Sequence, residues 1–389
     1  MTKYYDYMQL EKLLDSQRPI SQLTADKQPA HHETFFIIIH QVYELWFKAI
    51  LFELDSVITT FKTHPDGLDE REIGIIVSKL NRIIEIFKLL VAQIKVMETL
   101  TPLDFLDFRD LLMPASGYDS LQFRLIEVKL GLKLDRGRAK KFDPGSRNES
   151  NETKYGDNAL ARKHIEELKS ANQGDSLFDY VEAWLRRTPF VNGEEFGDWF
   201  PRAFAAIRRT GIESTDGVIG LVQGIFDPET YASFLKDIEG DSSQAFPENR
   251  RVDVQVGNRN GLSHDAFLAA LFIHLYRDEP ILQQPHRLLE SLKEMDELFS
   301  IWRDWHSSMV LRMIGQKPGT AGPDYGYKYL AGTKPHKFFP ELDRISTYFL
   351  PRRLLPAIPS VVQGKMDFYY SVMRRKSSRA NLGWGGGDI

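Results

Sequence analysis

EIGIIVSKLNRIIEIFKLLVAQIKVMETL, residues 72–100, decides the fold. Ile76, Leu80, Ile83, Phe87, Leu90, Ile94 and Met97 recur at alternating steps of four and three residues. That spacing sets them on one face of a long helix, a stripe that must pack against other helices. The pattern continues on both sides. Residues 35–62 carry Phe36, Tyr43, Phe47, Leu51, Leu54 and Ile58, and a later stripe runs through Leu288, Leu292, Met295, Phe299, Trp302, Met309 and Met313. Gly315 and Pro318 then supply a stop signal. Shorter helical patterns fall near 119–133, 158–171, 175–187, 195–209, 262–277, 338–348 and 357–375. The best strand signal is Val252–Val256, enough for a small hairpin at most. The fold class is therefore all-α, a bundle of long helices.

Residues 134–157 and 240–261 are polar, with Gly, Pro, Ser and Asn, and read as loops; residues 376–389 read as a mobile tail. Neither loop divides the sequence, so residues 1–389 are expected to form one domain.

Composition removes whole classes of chemistry. The 389 residues are 42% hydrophobic and 27% charged, as in an ordinary globular protein, and the formal net charge of −4 gives no global footprint for nucleic acid. Cysteine is absent. That excludes disulfides, thiolate metal sites, iron–sulfur clusters and a cysteine nucleophile, so any metal must use His, Asp, Glu or a Met thioether. No run approaches 18 uninterrupted apolar residues, and the N-terminal MTKYYDYMQLEKLL lacks the apolar region of a signal peptide. No membrane span and a cytoplasmic location are expected.

Of ten histidines, most sit in polar or loop contexts, such as His64, His164 and His336. Two lie on apolar stripes: His40, between Phe36 and Tyr43, and His306, between Trp302 and Met309. For either alone, a buried imidazole satisfied by a carbonyl or carboxylate is the commoner outcome. Two on separate long helices also suit a haem pocket, where neutral imidazole is a standard axial ligand. A di-iron carboxylate site would want Glu-x-x-His on two helices, but Ile37 and Arg303 stand three residues before these histidines.

Arg109 falls on an apolar face, four residues after Phe105 and three before Leu112. Either an acid such as Asp104, Asp107 or Asp110 pairs with it, or its guanidinium fork awaits a ligand carboxylate. Pro114-Ala-Ser116-Gly117 then breaks the helix. The Gly-rich run Gly315–Gly326 contains Thr320 and allows close approach to a ligand, but lacks the Gly-Lys-Ser/Thr of a phosphate-binding loop.

Over nearly its whole length the sequence resembles the tryptophan 2,3-dioxygenase family. The densest blocks are HQVYELWFK at 40–48, LFELDSV at 51–57, LDFRD at 106–110, PASG at 114–117, SLQFR at 120–124, VEAWLRRTP at 181–189, YRDEP at 276–280, and His306 with MVLRMIG at 309–315. The resemblance implies a haem pocket between the helices. It implies heme b (iron protoporphyrin IX), ferrous in the active state, held by His306, with Ser116 near the haem edge. L-tryptophan or a close analogue would bind against Phe36 and Phe105, with its indole N–H on His40 and its carboxylate on Arg109. Thr320 would help hold the head group. Tyr4 and Tyr7, on an N-terminal arm at 1–20, would reach a neighbouring subunit's pocket in a homo-oligomer, a tetramer in the family. The implied reaction opens the indole C2–C3 bond with O2 to give N-formylkynurenine, the first step of tryptophan catabolism through kynurenine.

The sequence departs from the family pattern in places. The loop Gly319-Thr320-Ala321-Gly322-Pro323-Asp324-Tyr325-Gly326 is longer and bulkier than the family's Gly-Thr-Gly-Gly-Ser-Ser-Gly. Ile39 stands where threonine is common, and His31-His32-Glu33-Thr34 replaces His-Asp-Glu-His. These changes motivate an alternative: a paralogous haem oxygenase for a substituted tryptophan or another aromatic amino acid, inserting one oxygen atom.

Overall fold

The computed structural model describes residues 3–23, 30–133, 159–188, 199–200, 261–320 and 326–366. Its helices are α1 (Tyr4–Met8), α2 (Leu10–Leu14), α3 (His31–Thr63), α4 (Glu70–Met97), α5 (Pro102–Arg109), α6 (Leu121–Leu130), α7 (Ala159–Gln173), α8 (Leu177–Arg186), α9 (His264–Leu275), α10 (Gln283–Ile314), α11 (Tyr327–Thr333), α12 (Pro340–Ile345) and α13 (Ser360–Met366). Among the described residues there is no β-strand, and the fold is all-α. The expected strand at 252–256, both polar loops, the tail and nearly all of the expected helix at 195–209 lie outside the described residues.

Three long helices frame the core. α4 lies between α3 and α10 and packs on both. Every member of the α4 stripe from Ile76 to Met97 is buried. Phe87 meets Phe299 of α10 with ring centroids 4.0 Å apart, and Phe338 packs edge-on against Phe299 at 4.7 Å. Burying a side chain of this kind stabilises the fold by roughly 1.5–3 kcal/mol. The α4 start is fixed by a capping box: Asp69 accepts from the Glu72 amide at 2.8 Å, and Glu72 accepts from the Asp69 amide at 2.6 Å. α10 ends at Gly315, whose φ of 59° is the left-handed conformation that glycine adopts cheaply.

Polar ties set the register around the later site. The Tyr43 hydroxyl of α3 donates to the Leu90 carbonyl of α4 at 2.8 Å, and Gln93 of α4 donates to the Ile39 carbonyl at 3.1 Å. Gln122 of α6 donates to both the carbonyl and the carboxylate of Glu44, at 2.9 and 2.7 Å. These bonds hold α3 on either side of His40. Asp296 of α10 accepts from the amides of Phe338 and Phe339, each at 2.9 Å, pinning the later segment to the long helix.

α3 also has an outward apolar row, with Ile38, Leu45 and Phe52 exposed at seven-residue spacing. It is long and apolar enough to cross a membrane by length and composition, with mean hydropathy 1.5 over its best window. Its opposite face, however, packs into the core through Phe47, Leu54 and Val57.

Candidate ligand cavity

Between α3, α5, α6, α10 and α11 the packed interior gives way to a cavity of about 270 Å³. The two stripe histidines both line it. Protein encloses both rings, yet His40 is exposed and His306 half-buried, because their free surface faces the cavity.

The two imidazoles differ in their partners. Nδ1 of His40 lies 2.7 Å from the Phe36 carbonyl one turn earlier. A carbonyl only accepts, so Nδ1 carries the hydrogen and the neutral ring keeps its Nε2 lone pair free. Burial pushes His40 below the usual histidine range, against the opposing pull of the Phe36 carbonyl and Glu44. Thus the commoner outcome for a buried histidine, satisfaction by a backbone carbonyl, occurs here on one nitrogen only. His306 makes no hydrogen bond to any described residue, and stacks on Trp302 with centroids 4.9 Å apart and planes 18° from parallel. Burial, reinforced by nearby His40, brings its pKa to about 4. A neutral imidazole without a proton partner is what a metal ion requires.

Flat apolar walls stand beside His40. Phe36 lies 4.1 Å from the His40 ring and stacks on Phe105 at 5.5 Å, while Phe108 closes the cluster edge-on to Phe105 at 5.4 Å. α5 presents Phe105 because Thr101 and Asp104 form a capping box with Pro102 in the first turn. It ends at Arg109, and a 3-10 turn, Asp110–Leu112, leads to the Pro114 break.

Arg109 reaches the cavity with its side chain 11% exposed. Its carboxylate neighbour is Asp110 at 3.5 Å, itself 84% exposed, a pair worth no more than about 1 kcal/mol. One terminal nitrogen donates to the Pro318 carbonyl, and Nε is buried with no partner. The guanidinium therefore retains a buried donor aimed at no protein acid. Thr320 donates to the Ala115 carbonyl at 2.6 Å, leaving its oxygen lone pairs for an incoming donor. Ser116 also lines the cavity, and caps the short turn after it by accepting from the Tyr118 amide at 3.3 Å. Tyr4 and Tyr7 are outside this group: on α1 they are 67% and 76% exposed. Residues 321–325 of the Gly-rich loop are outside the described residues.

Sequence reasoning missed a charged cluster at the cavity wall. Glu127 sits between Arg124 at 2.5 Å and Arg303 at 2.9 Å, all three buried. Arg303 also donates to the His336 carbonyl. Burial opposes ionisation of Glu127, but Arg124 and then Arg303 outweigh it and hold its carboxyl below the usual range. The available signal was Arg124 and Arg303 standing on otherwise buried helix faces, three residues from Glu127 and His306 respectively.

The chemistry of this wall suits a flat iron macrocycle. It offers one neutral, unpartnered imidazole in His306, aromatic and aliphatic surfaces, and a cationic edge in Arg124, whose Nε is buried without a partner. Fold and cavity thus define an all-α protein whose apolar cavity is lined by two histidines and an arginine with an unpartnered nitrogen.

The family model described as tryptophan 2,3-dioxygenase matches residues 1–349. A tryptophan 2,3-dioxygenase of Bdellovibrio bacteriovorus is 41% identical over 382 residues, covering 94% of this chain and 98% of the relative. One from Dictyostelium discoideum is 39% identical, covering 95% and 89%, and one from Alteromonas mediterranea is 37% identical, covering 94% and 97%. The chain belongs to the tryptophan 2,3-dioxygenase family.

Proposed function

We infer that this protein is an oxidoreductase that adds dioxygen across the indole C2–C3 bond of L-tryptophan, giving N-formylkynurenine. The family match over nearly the whole chain supports the activity. The observation that carries the site assignment is the meeting of His40, His306 and Arg109 in one apolar cavity.

His306 is the residue that would hold heme b, with Ser116 and Arg124 near its edge. Haem supplies the one-electron chemistry that lets triplet dioxygen react with an indole, which no side chain here provides. The protein's own residues bind and orient. The indole plane packs against Phe36 and Phe105, a wall already flat before substrate arrives. His40, hydrogen-bonded at Nδ1, accepts the indole N–H at Nε2. It acts as an acceptor and need not remove that proton, because an indole N–H is a far weaker acid than an imidazolium. Arg109 takes the substrate carboxylate, and the Pro318 carbonyl yields its place on the guanidinium. Thr320 accepts from the substrate ammonium through the lone pairs left by its bond to Ala115. Enclosure excludes water and strengthens each of these contacts.

Tyr4 and Tyr7 extend from one protomer into the next in a homo-oligomer, a tetramer. Their exposure on a short N-terminal helix supports that reading. The protein acts in the cytoplasm and uses neither nucleic acid nor a membrane. Anaerobic addition of L-tryptophan to the ferrous haem protein, then isotopically labelled O2, tests the activity. The expected product gains both labelled oxygen atoms. A product with one labelled atom would reject dioxygenation in favour of a monooxygenase on the same scaffold.

A further inference from the structure

Away from the cavity, α9 and α10 bring together three metal-ligating side chains. His274 is the penultimate residue of α9; His286 and Glu290 stand one turn apart on α10. Their ligating atoms all lie within 4.8 Å of one another. Nδ1 of His274 is 3.8 Å from Glu290 Oε1, and the two imidazole rings meet edge-to-face with centroids 5.0 Å apart. His286 and Glu290 are roughly 30 and 24 Å along α10 from His306, at 1.5 Å per residue, so the group is separate from the cavity.

The partners of His274 are the unusual feature. Its side chain is 5% exposed, yet it makes no hydrogen bond to any described residue. The nearest carboxylate is beyond hydrogen-bond reach, and Phe349 covers another side with ring centroids 5.5 Å apart. A buried imidazole ordinarily finds a partner. We propose that His274, His286 and Glu290 form a zinc site that joins the end of α9 to the start of α10.

The donor set selects the metal. Two imidazole nitrogens and one carboxylate, with a fourth position left for water, form a familiar tetrahedral zinc arrangement. Tetrahedral ligands about 2.0–2.2 Å from zinc lie roughly 3.4 Å apart, so ligating atoms within 4.8 Å of one another would close on the ion by side-chain movements of about 1 Å. Calcium and magnesium want oxygen donors and are disfavoured. The surrounding charges are mixed. His274 faces His286, Lys293 and Arg277, and His286 faces Glu290, Arg277 and Asp278. Asp278 is itself paired with Arg352 at 2.7 Å. Lys293 and Arg277 oppose every cation here, so only a metal bound strongly through nitrogen ligands could be held against them.

The test uses the full-length haem-loaded protein, dialysed against micromolar zinc, with bound zinc and iron counted separately. About one zinc per chain is expected beyond the iron, with a thermal midpoint that rises on zinc addition. His286→Gln and Glu290→Gln, both at the surface end of the cluster, should each weaken zinc binding about tenfold or more and abolish the midpoint shift. Iron content and tryptophan turnover should stay unchanged in both. His306→Ala should keep its zinc, which separates this site from the cavity. No zinc on the wild type, zinc retained equally by both surface variants, or zinc lost in His306→Ala would each overturn the proposal.

Discussion

Nδ1 of His40 and the carbonyl of Phe36 lie 2.7 Å apart within one turn of α3, and this contact decides which imidazole nitrogen faces the cavity. The same turn places the Phe36 ring 4.1 Å from the imidazole, so the aromatic wall and the polar acceptor are aligned by one helical step. His40→Ala should therefore lower kcat/KM for L-tryptophan about tenfold, the worth of one hydrogen bond in an enclosed site. It should also erase the preference for L-tryptophan over its 1-methyl derivative, which has no indole N–H. Steady-state kinetics with both substrates measures this; an undiminished preference in the variant would reject the acceptor role.

The Nε of Arg109 is buried without a hydrogen-bond partner, which predicts a loss in substrate binding when the side chain is removed. Arg109→Ala should weaken the use of L-tryptophan by about 2–5 kcal/mol, seen mainly in KM. Arg109→Lys should recover little, because a point charge does not reproduce a two-pronged contact. Tryptamine, which lacks the carboxylate, should be insensitive to both changes. Equal losses for tryptamine and tryptophan would assign Arg109 a structural role.

Glu127 between Arg124 and Arg303 predicts a pH-dependent contribution to stability. Its folded pKa is depressed below the ordinary 4.5, so the unfolded chain binds the proton more readily. Stability from this group is fully present above about pH 4.5 and is lost as pH falls through the folded pKa. Glu127→Gln at pH 7 leaves two buried guanidinium groups without their counter-charge and should cost about 3–5 kcal/mol. Urea unfolding at pH 7 and at pH 4 checks both; a variant as stable as wild type at pH 7 would contradict the cluster's role.

Residues 3–8 are exposed, so deleting residues 1–8 should leave the thermal midpoint nearly unchanged. Turnover should fall under the proposal that Tyr4 and Tyr7 enter a neighbouring subunit's pocket. Full activity of the truncated protein would show that the arm is dispensable.

Much of this was legible in the sequence, for a physical reason. Local periodicity reports which helix face is buried: the α4 stripe is buried as read, and so is the α10 stripe except for Trp302, half-buried where it lines the cavity, with Gly315 ending α10. His40 and His306 stood out because imidazoles on such stripes conflict with an apolar surrounding. The structure resolves the conflict with a cavity. What stayed hidden depends on contacts between distant segments. Arg109 meets the Pro318 carbonyl 209 residues later, and Arg303 meets Glu127 across 176 residues. No spacing rule encodes either. His274 and His286 passed unnoticed because their meeting depends on the turn between α9 and α10.

The central claim is that His306 binds haem iron in the cavity that His40 also lines. Spectroscopic titration of the purified His306→Ala variant with ferrous haem, beside wild type, tests it most directly. Wild type should give a stoichiometric five-coordinate histidine-ligated spectrum, and the variant should lose it while keeping its helical circular dichroism. An unchanged ferrous spectrum in a folded His306→Ala protein would contradict the account.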